Sequence, residues 1–219
     1  MINKFKFLLG ALCMCAITIV NGQGSAASNI TDIEGTPYLD EAYVAGVIYY
    51  DNRQHKAPIR YNAFQDLIEY QQSGRSLVLD ASETIQKVIF GAYTFVPLNY
   101  ELKGKPKLGY LALLDSGKVI LYAKKQITFV PLRKNGALDG TDQPATFKKT
   151  MDTYYYKLGD GPLQEVDNIK EMIATLPDSQ EELTKFVKKE KLSHRKEKEM
   201  IQFVQYYNSL NQIAISSQR

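Results

Sequence analysis

Short apolar and aromatic runs, separated by turn residues, follow one another through the middle of the chain. Runs such as 43–50 (YVAGVIYY), 108–115 (LGYLALLD) and 118–125 (KVILYAKK) are rich in Val, Ile, Tyr and Leu, a composition typical of β-strands. The links between them carry Gly, Asp and Ser and are too short to hold crossover helices. The pattern therefore predicts an antiparallel β meander over residues 42–166, closed or half-closed into a barrel-like sheet.

After Asp167 the apolar residues recur at helical spacing. Three stripes are visible, and their members are Ile169, Met172, Ile173 and Leu176, then Leu183, Phe186, Val187 and Leu192, and finally Met200, Ile201, Val204, Tyr207 and Leu210. Each stripe covers one face only, so each helix needs another surface to lie against. The predicted fold class is α+β and mainly β, ending in a three-helix segment over residues 167–214.

The first 22 residues have the order of a secretory signal peptide. Lys4 and Lys6 form a basic start, residues 7–20 are apolar, and small residues follow. A membrane anchor requires about 20 apolar residues, and the polar stretch that begins at Asn21 comes too soon for one. We therefore predict export, with cleavage between Gly22 and Gln23 and no integral membrane segment afterwards.

Removal of the signal peptide also removes both cysteines of the chain, Cys13 and Cys15. Residues 23–219 then offer no disulfide, no thiol nucleophile and no thiolate ligand. Residues 23–36 are rich in Gly, Ser, Ala and Asn and lack apolar periodicity, which predicts a flexible leader over 23–41.

Few residues of the chain suit catalysis or metal binding. His55 is predicted to lie in a hairpin loop after residues 51–54, and His194 lies in a basic stretch. Both are predicted to be exposed, without a motif around them. Asp139 and Asp142 lack the oxygen-ligand rhythm of a calcium loop, and the chain has no nucleotide-binding or zinc motif. No catalytic residue, metal ligand or cofactor is predicted.

Carboxylate pairs remain open as catalytic groups, because a glycosidase needs only two of them. Asp66 and Glu69 are close in sequence, but residues i and i+3 of a strand point to opposite faces. Arg60 and Glu69 are instead placed to face each other across a hairpin. We predict a structural ion pair there, of small energetic value.

Two other features favour structure over binding. The run Tyr154-Tyr155-Tyr156 suits a half-buried sheet at least as well as a stacking surface. The lysine-rich stretch 185–198 follows an acidic helix start, an arrangement that suits the helix dipole. With a net charge of only +3, the chain is not predicted to bind nucleic acid.

Four stretches together resemble a family of small exported proteins of Bacteroidetes-type bacteria that has no assigned function. They are GTPYLDEAYVAGVIYY, PIRYNAFQDLIEY, TYYYKLGDGP and ELTKFVKKEKLSHRKEKEMIQFVQYYNSL. The resemblance implies export in a Gram-negative cell, to the periplasm or the exterior. It brings no catalytic residue, substrate or cofactor with it.

Two functions compete at this point. The first is a non-catalytic envelope or secreted protein that binds a protein or glycan partner through the sheet or through the loop 133–146. The second is a carboxylate-based hydrolase that acts on a surface polysaccharide. No motif supports the second, so the first is favoured.

Overall fold

A computed structural model describes residues 33–102, 104–133 and 143–216, of which 211–216 are described by their backbone alone. The predicted signal peptide with its cleavage site Gly22/Gln23, the first part of the predicted leader, and Asp139 and Asp142 lie outside the described residues. The described chain is mainly β with a C-terminal helical segment, which confirms the predicted fold class.

Ten antiparallel strands form one curled, half-barrel sheet. Their bounds are β2 Val44–Tyr50, β3 Arg53–Asn62, β4 Leu67–Gln72, β5 Arg75–Leu79, β6 Ile85–Phe90, β7 Tyr93–Leu102, β8 Lys105–Asp115, β9 Val119–Lys124, β12 Thr153–Leu158 and β13 Gln164–Glu165. The order across the sheet is β13-β12-β9-β8-β7-β6-β2-β3-β4-β5. The order departs from a plain meander, because β2 lies between β3 and β6.

A second sheet has three strands, β1 Ile33–Glu34, β10 Ile127–Val130 and β11 Ala145–Lys149. β1 pairs with β11 in parallel, so residues 33–41 differ from the flexible leader predicted over 23–41. Tyr38 also bridges to Asn62, and Leu39 donates its N–H to the carbonyl of Tyr61 at 3.0 Å. These contacts with distant strands fix the position of residues 33–39, whose own sequence shows no periodic pattern of apolar residues.

Three clusters of buried apolar side chains lie along the described part of the half-barrel, and one of them joins Tyr100, Leu111, Tyr122 and Tyr155 of β7, β8, β9 and β12. Side chains of β2, β3, β4, β6, β7 and β8 pack on each other inside the curl, around the fully buried Ile59, Ile68 and Phe95. Beyond β8, one face of β9 and β12 packs against the helices through residues such as Leu121 and Tyr156. The helices therefore cover only one half of the sheet.

The three helices are α1 Ile169–Thr175, α2 Gln180–Glu190 and α3 Glu197–Ser216. Asn168 caps α1 by accepting the N–H of Glu171 at 2.8 Å. Leu183 of α2 and Phe203 of α3 are fully buried among the helices and the sheet. Among the described residues, no helix is both long enough and apolar enough to span a membrane.

Polar contacts fix α3 to the sheet at two points. Near its start, Lys125 lies between Asp152, at 2.7 Å, and Glu197. Further along, the buried Asn208 accepts the N–H of Val119 at 2.9 Å and donates to its carbonyl at 3.0 Å. The side-chain amide of Asn208 thus satisfies both backbone groups of Val119 and sets the position of the helix along the strand.

Candidate functional site

A cavity of about 300 Å³ lies at one end of the curled sheet. Side chains of β2 to β6 and of the connection 80–84 line it, namely Ile48, Tyr50, His55, Tyr70, Gln72, Leu79, Ser82, Thr84 and Ile85. Ligand cavities of proteins measure roughly 300–1,000 Å³, so this cavity accommodates a small molecule. Its wall combines apolar and aromatic surface with a few groups that form hydrogen bonds.

The course of the chain creates this cavity. Strand β5 is the edge of the sheet and β6 lies on the far side of β2, so residues 80–84 must cross the ends of the strands between them. The carbonyl of Thr84 accepts the N–H of Asp51 at 3.3 Å, and the hydroxyls of Ser82 and Thr84 are 3.0 Å apart. The crossing is therefore held against the hairpin between β2 and β3.

His55 is the most informative residue of the lining. It lies within β3, half-buried opposite Ile48, with its ring edge-to-face against Tyr70 at 5.7 Å. Its Nε2 is buried and has no hydrogen-bond partner among the described residues, and an unmade hydrogen bond of a buried group costs about 1–3 kcal/mol. A ligand with a complementary polar group would remove that cost.

The prediction that His55 is exposed in a hairpin loop is wrong. Asp51 and Asn52 both have positive φ, 45° and 59°, which allows a tight two-residue turn between Tyr50 and Arg53. Because the turn is so short, β3 begins at Arg53 and His55 belongs to the strand. His194 lies between α2 and α3 and does not line the cavity.

Tyr110 of β8 supports the crossing from inside the curl. Its side chain is fully buried, and its hydroxyl is 3.2 Å from the carbonyl oxygens of both Leu79 and Asp80. These are the last residue of β5 and the first residue of the crossing. The position of the cavity wall therefore depends on how Tyr110 itself is held.

Asp66 holds the backbone of Tyr110. It ends the turn between β3 and β4 with φ 62°, and its N–H donates to the carbonyl of Asn62 at 2.9 Å. The Oδ1 atom of Asp66 accepts the hydroxyl of Tyr61 at 2.9 Å and the N–H of Tyr110 at 3.2 Å, and it contacts the Nζ of Lys124. Strand β9 pairs with β8 only from Ala112 onward. Asp66 therefore bonds to β8 at Tyr110, just beyond the end of that pairing.

The second carboxylate oxygen of Asp66, Oδ2, also has two partners. The hydroxyl of Tyr100 and the Nζ of Lys107 each lie 3.3 Å from Oδ2. A Cβ at Gly109 would collide with this oxygen, so the absence of a side chain there admits the carboxylate. Burial disfavours a charge strongly unless it is paired and hydrogen-bonded, and Asp66 meets both conditions.

Lys124 is the buried cation of the cluster. Its Nζ donates to the hydroxyl of Tyr61 at 2.9 Å and to the carbonyl of Tyr110 at 3.1 Å, besides its contact with Asp66. Burial lowers the pKa of Lys124 to about 8, and the carboxylate of Asp66 opposes that shift only in part. The neutral amine is therefore accessible near physiological pH.

The predicted pair, Arg60 and Glu69, is joined on the adjacent strands β3 and β4. The two residues are register partners, and the guanidinium donates to Glu69 Oε2 at 2.6 and 2.9 Å. The guanidinium also lies over the rings of Tyr38, at 3.6 Å, and Tyr43, at 4.3 Å. The pair thereby fastens the segment 38–43 to the sheet.

The surroundings of Glu69 favour its charged form. Burial acts against ionisation, but hydrogen bonds from Arg60, Tyr38 and Tyr43 outweigh it and lower the pKa of Glu69. A general acid in hydrolysis needs a raised pKa. The geometry therefore makes Glu69 a structural residue.

The remaining candidates are structural where the structure describes them. Tyr154, Tyr155 and Tyr156 are all buried, on alternating faces of β12, so they form core and no stacking surface. Within the described ranges, no group of three or more His, Cys, Asp or Glu residues is arranged to hold a metal ion.

The pair Asp66–Lys124 was missed by sequence reasoning. The sequence did contain one signal for it, the Lys124-Lys125 doublet at the end of an apolar run. Because neighbouring residues of a strand point to opposite faces, the two lysines enter different environments. Where both faces are buried, each lysine needs its own anion. Asp66 supplies one, and Asp152 with Glu197 supplies the other.

Comparison of the chain with protein-family models, with curated proteins and with solved structures gives no match. The resemblance to an exported Bacteroidetes-type family stays a prediction.

The buried tyrosines make stability depend on alkaline pH. Burial raises the pKa of Tyr61, Tyr100, Tyr110, Tyr154 and Tyr155 in the folded chain, and nearby carboxylates add to the effect. In the unfolded chain their pKa is about 10. A raised pKa contributes stability below the unfolded value and loses it as the pH rises, so the free energy of unfolding should fall steeply above about pH 10.

The measurement is phenolate absorbance recorded together with far-ultraviolet circular dichroism. A large part of the absorbance should appear only as the β signal is lost, whereas the chain in guanidinium chloride should titrate smoothly. Complete ionisation of all 15 tyrosines with the β signal intact would contradict the burial described above.

Proposed function

We propose that the chain is an exported, non-catalytic protein that binds the terminal sugar residue of an envelope glycan in the cavity of the half-barrel. The observation that carries the proposal is the buried Nε2 of His55, which belongs to a cavity-lining side chain and has no hydrogen-bond partner within the described part of the chain. A binding site needs such a group to orient its ligand.

The chemistry of the wall suits a sugar. Tyr50 and Tyr70 provide ring surface for the apolar face of a pyranose. Gln72, Ser82 and Thr84 provide the amide and hydroxyl groups that pair with sugar hydroxyls. The volume of about 300 Å³ fits one residue better than a longer segment.

The alternative, a carboxylate-based hydrolase, has less support. The described residues that line the cavity include no Asp and no Glu. Asp66 and Glu69 are each bound by a cation. Glu165 is a carboxyl group whose pKa is raised, by partial desolvation and by Asp167 and Glu101, but its side chain lies mostly exposed on the edge strand β13.

Calorimetric titration with a panel of monosaccharides and envelope-type oligosaccharides tests binding. At least one sugar should bind, and His55→Ala should weaken it about tenfold, which corresponds to one lost hydrogen bond. Gln54→Ala is the matched control, because Gln54 precedes His55 on β3 and its exposed side chain points to the other face.

Absence of binding across the panel, or equal affinity in His55→Ala, would contradict the proposal. The same panel is assayed for hydrolysis. Turnover that is lost in Glu165→Gln would favour the hydrolase instead.

Export is the second part of the proposal, and the basic, apolar and small-residue order of the first 22 residues supports it. Protein recovered from its native host should begin at Gln23, as read from its intact mass and N-terminal peptide. A chain that keeps Met1 would contradict export by this signal, and it would leave the sugar-binding test unaffected.

A further inference from the structure

Asp66 and Lys124 meet in an unusually enclosed place. Their side chains are only 6% and 4% exposed, and the Nζ of Lys124 contacts the carboxylate directly. Asp66 comes from the β3–β4 turn and Lys124 from the end of β9, so a bond between them would tie together distant parts of the chain. The proposed sugar site does not use either side chain.

The carboxyl group of Asp66 is polarised by fixed donors on both oxygens. Oδ1 receives the hydroxyl of Tyr61 and the N–H of Tyr110, at 2.9 and 3.2 Å. Oδ2 receives the hydroxyl of Tyr100 and the ammonium of Lys107, each at 3.3 Å. Paired donors of this kind stabilise the negative charge that develops when a nucleophile adds to a carbonyl carbon.

The amine of Lys124 is oriented in a complementary way. The hydroxyl oxygen of Tyr61 and the carbonyl oxygen of Tyr110 accept two of its hydrogens, at 2.9 and 3.1 Å. When the amine is neutral, two hydrogens are therefore engaged and the lone pair is left for the third neighbour, the carboxyl group of Asp66. Burial supports this state, since it lowers the pKa of Lys124 to about 8.

We propose that Lys124 Nζ and Asp66 Cγ condense to an intramolecular amide, an isopeptide bond that closes the half-barrel covalently. The Nζ–Cγ bond forms and the Cγ–Oδ2 bond breaks. The Lys124 ammonium first gives one proton to the carboxylate of Asp66, so that a neutral amine faces a neutral carboxyl group. Nζ loses a second proton as it adds to Cγ, and both protons depart with Oδ2 as one molecule of water. The atoms and charges therefore balance without an oxidant or another reactant. Tyr61 and the N–H of Tyr110 hold Oδ1 during the addition.

Tyr100 and Lys107 position the leaving oxygen. Lys107 is 44% exposed and contacts Oδ2. Its ammonium therefore links Oδ2 to the solvent. The bond would also supply what the sequence lacks, because residues 23–219 contain no cysteine for a disulfide. A covalent link between distant residues stabilises chiefly by restricting the unfolded chain.

Intact mass spectrometry of the full wild-type protein is the decisive test. The mass should be lower than the sequence mass by one water molecule. Trypsin should release residues 61–75 and 119–125 as one joined species, and fragmentation should place the bond on Lys124. Lys125 in the same peptide is the internal control, because its contacts are with other carboxylates, those of Asp152 and Glu197.

Variants locate the chemistry. Asp66→Ala and Lys124→Arg should keep the full mass. In a cell-free translation pulse, Tyr61→Phe should slow the loss of water about a hundredfold. Tyr156→Phe should not, because its hydroxyl is bound to Gln164 and Thr175 elsewhere in the core.

Full mass in the wild-type chain after prolonged incubation overturns the proposal, and this result does not depend on whether any variant folds. Loss of water with the two peptides separate also overturns it, because the dehydration then lies in another group such as a succinimide.

Discussion

The carboxylate of Asp66 and the amine of Lys124 meet where the β3–β4 turn reaches the edge of β8. Both groups are almost completely buried, and breaking such a pair on one side leaves a charge that costs about 3–5 kcal/mol. The three neighbouring tyrosines and Lys107 give the cluster its remaining hydrogen bonds and counter-charge. The partners come from β3, from the turn that follows it, and from β7, β8 and β9, so their contacts join the turn to the middle of the sheet.

The cavity depends on that closure through Tyr110. Asp66 and Lys124 bind its N–H and its carbonyl oxygen, and its hydroxyl holds the start of the crossing between β5 and β6. The helices are supported differently, by the apolar face of β9 and β12 and by the bonds of Asn208 and Lys125. Both halves of the sheet have an apolar core, and the curl is held in addition by the buried pair Asp66–Lys124.

Local patterns in the sequence were sufficient for the elements and insufficient for their arrangement. Alternating apolar runs predicted the strands, and the hairpin between β3 and β4 was short enough to place Arg60 opposite Glu69. The position of β2 between β3 and β6 arises from pairing between distant segments, which leaves no local signature. The same applies to residues 33–41, whose order comes from β11, Asn62 and Arg60.

Two site residues were misread for different reasons. His55 was misplaced because a two-residue turn extended the strand. The role of Asp66 was missed because its partners, apart from Tyr61 and Asn62, lie 34 or more residues away.

Hydrogen exchange in Lys124→Met tests most directly whether the buried cluster holds the curl and the cavity. Methionine keeps the length of the side chain and removes its charge and its amine. In Lys124→Met, amides in 61–66, 79–85 and 105–110 should exchange faster, while those of α1 and α2 keep their wild-type protection. The control is Lys170→Met, at an exposed position of α1, which should leave exchange unchanged both around the cluster and in the helices. Unchanged exchange around Tyr110, or an increase of equal size in the helices, would contradict a closure that depends on Asp66 and Lys124.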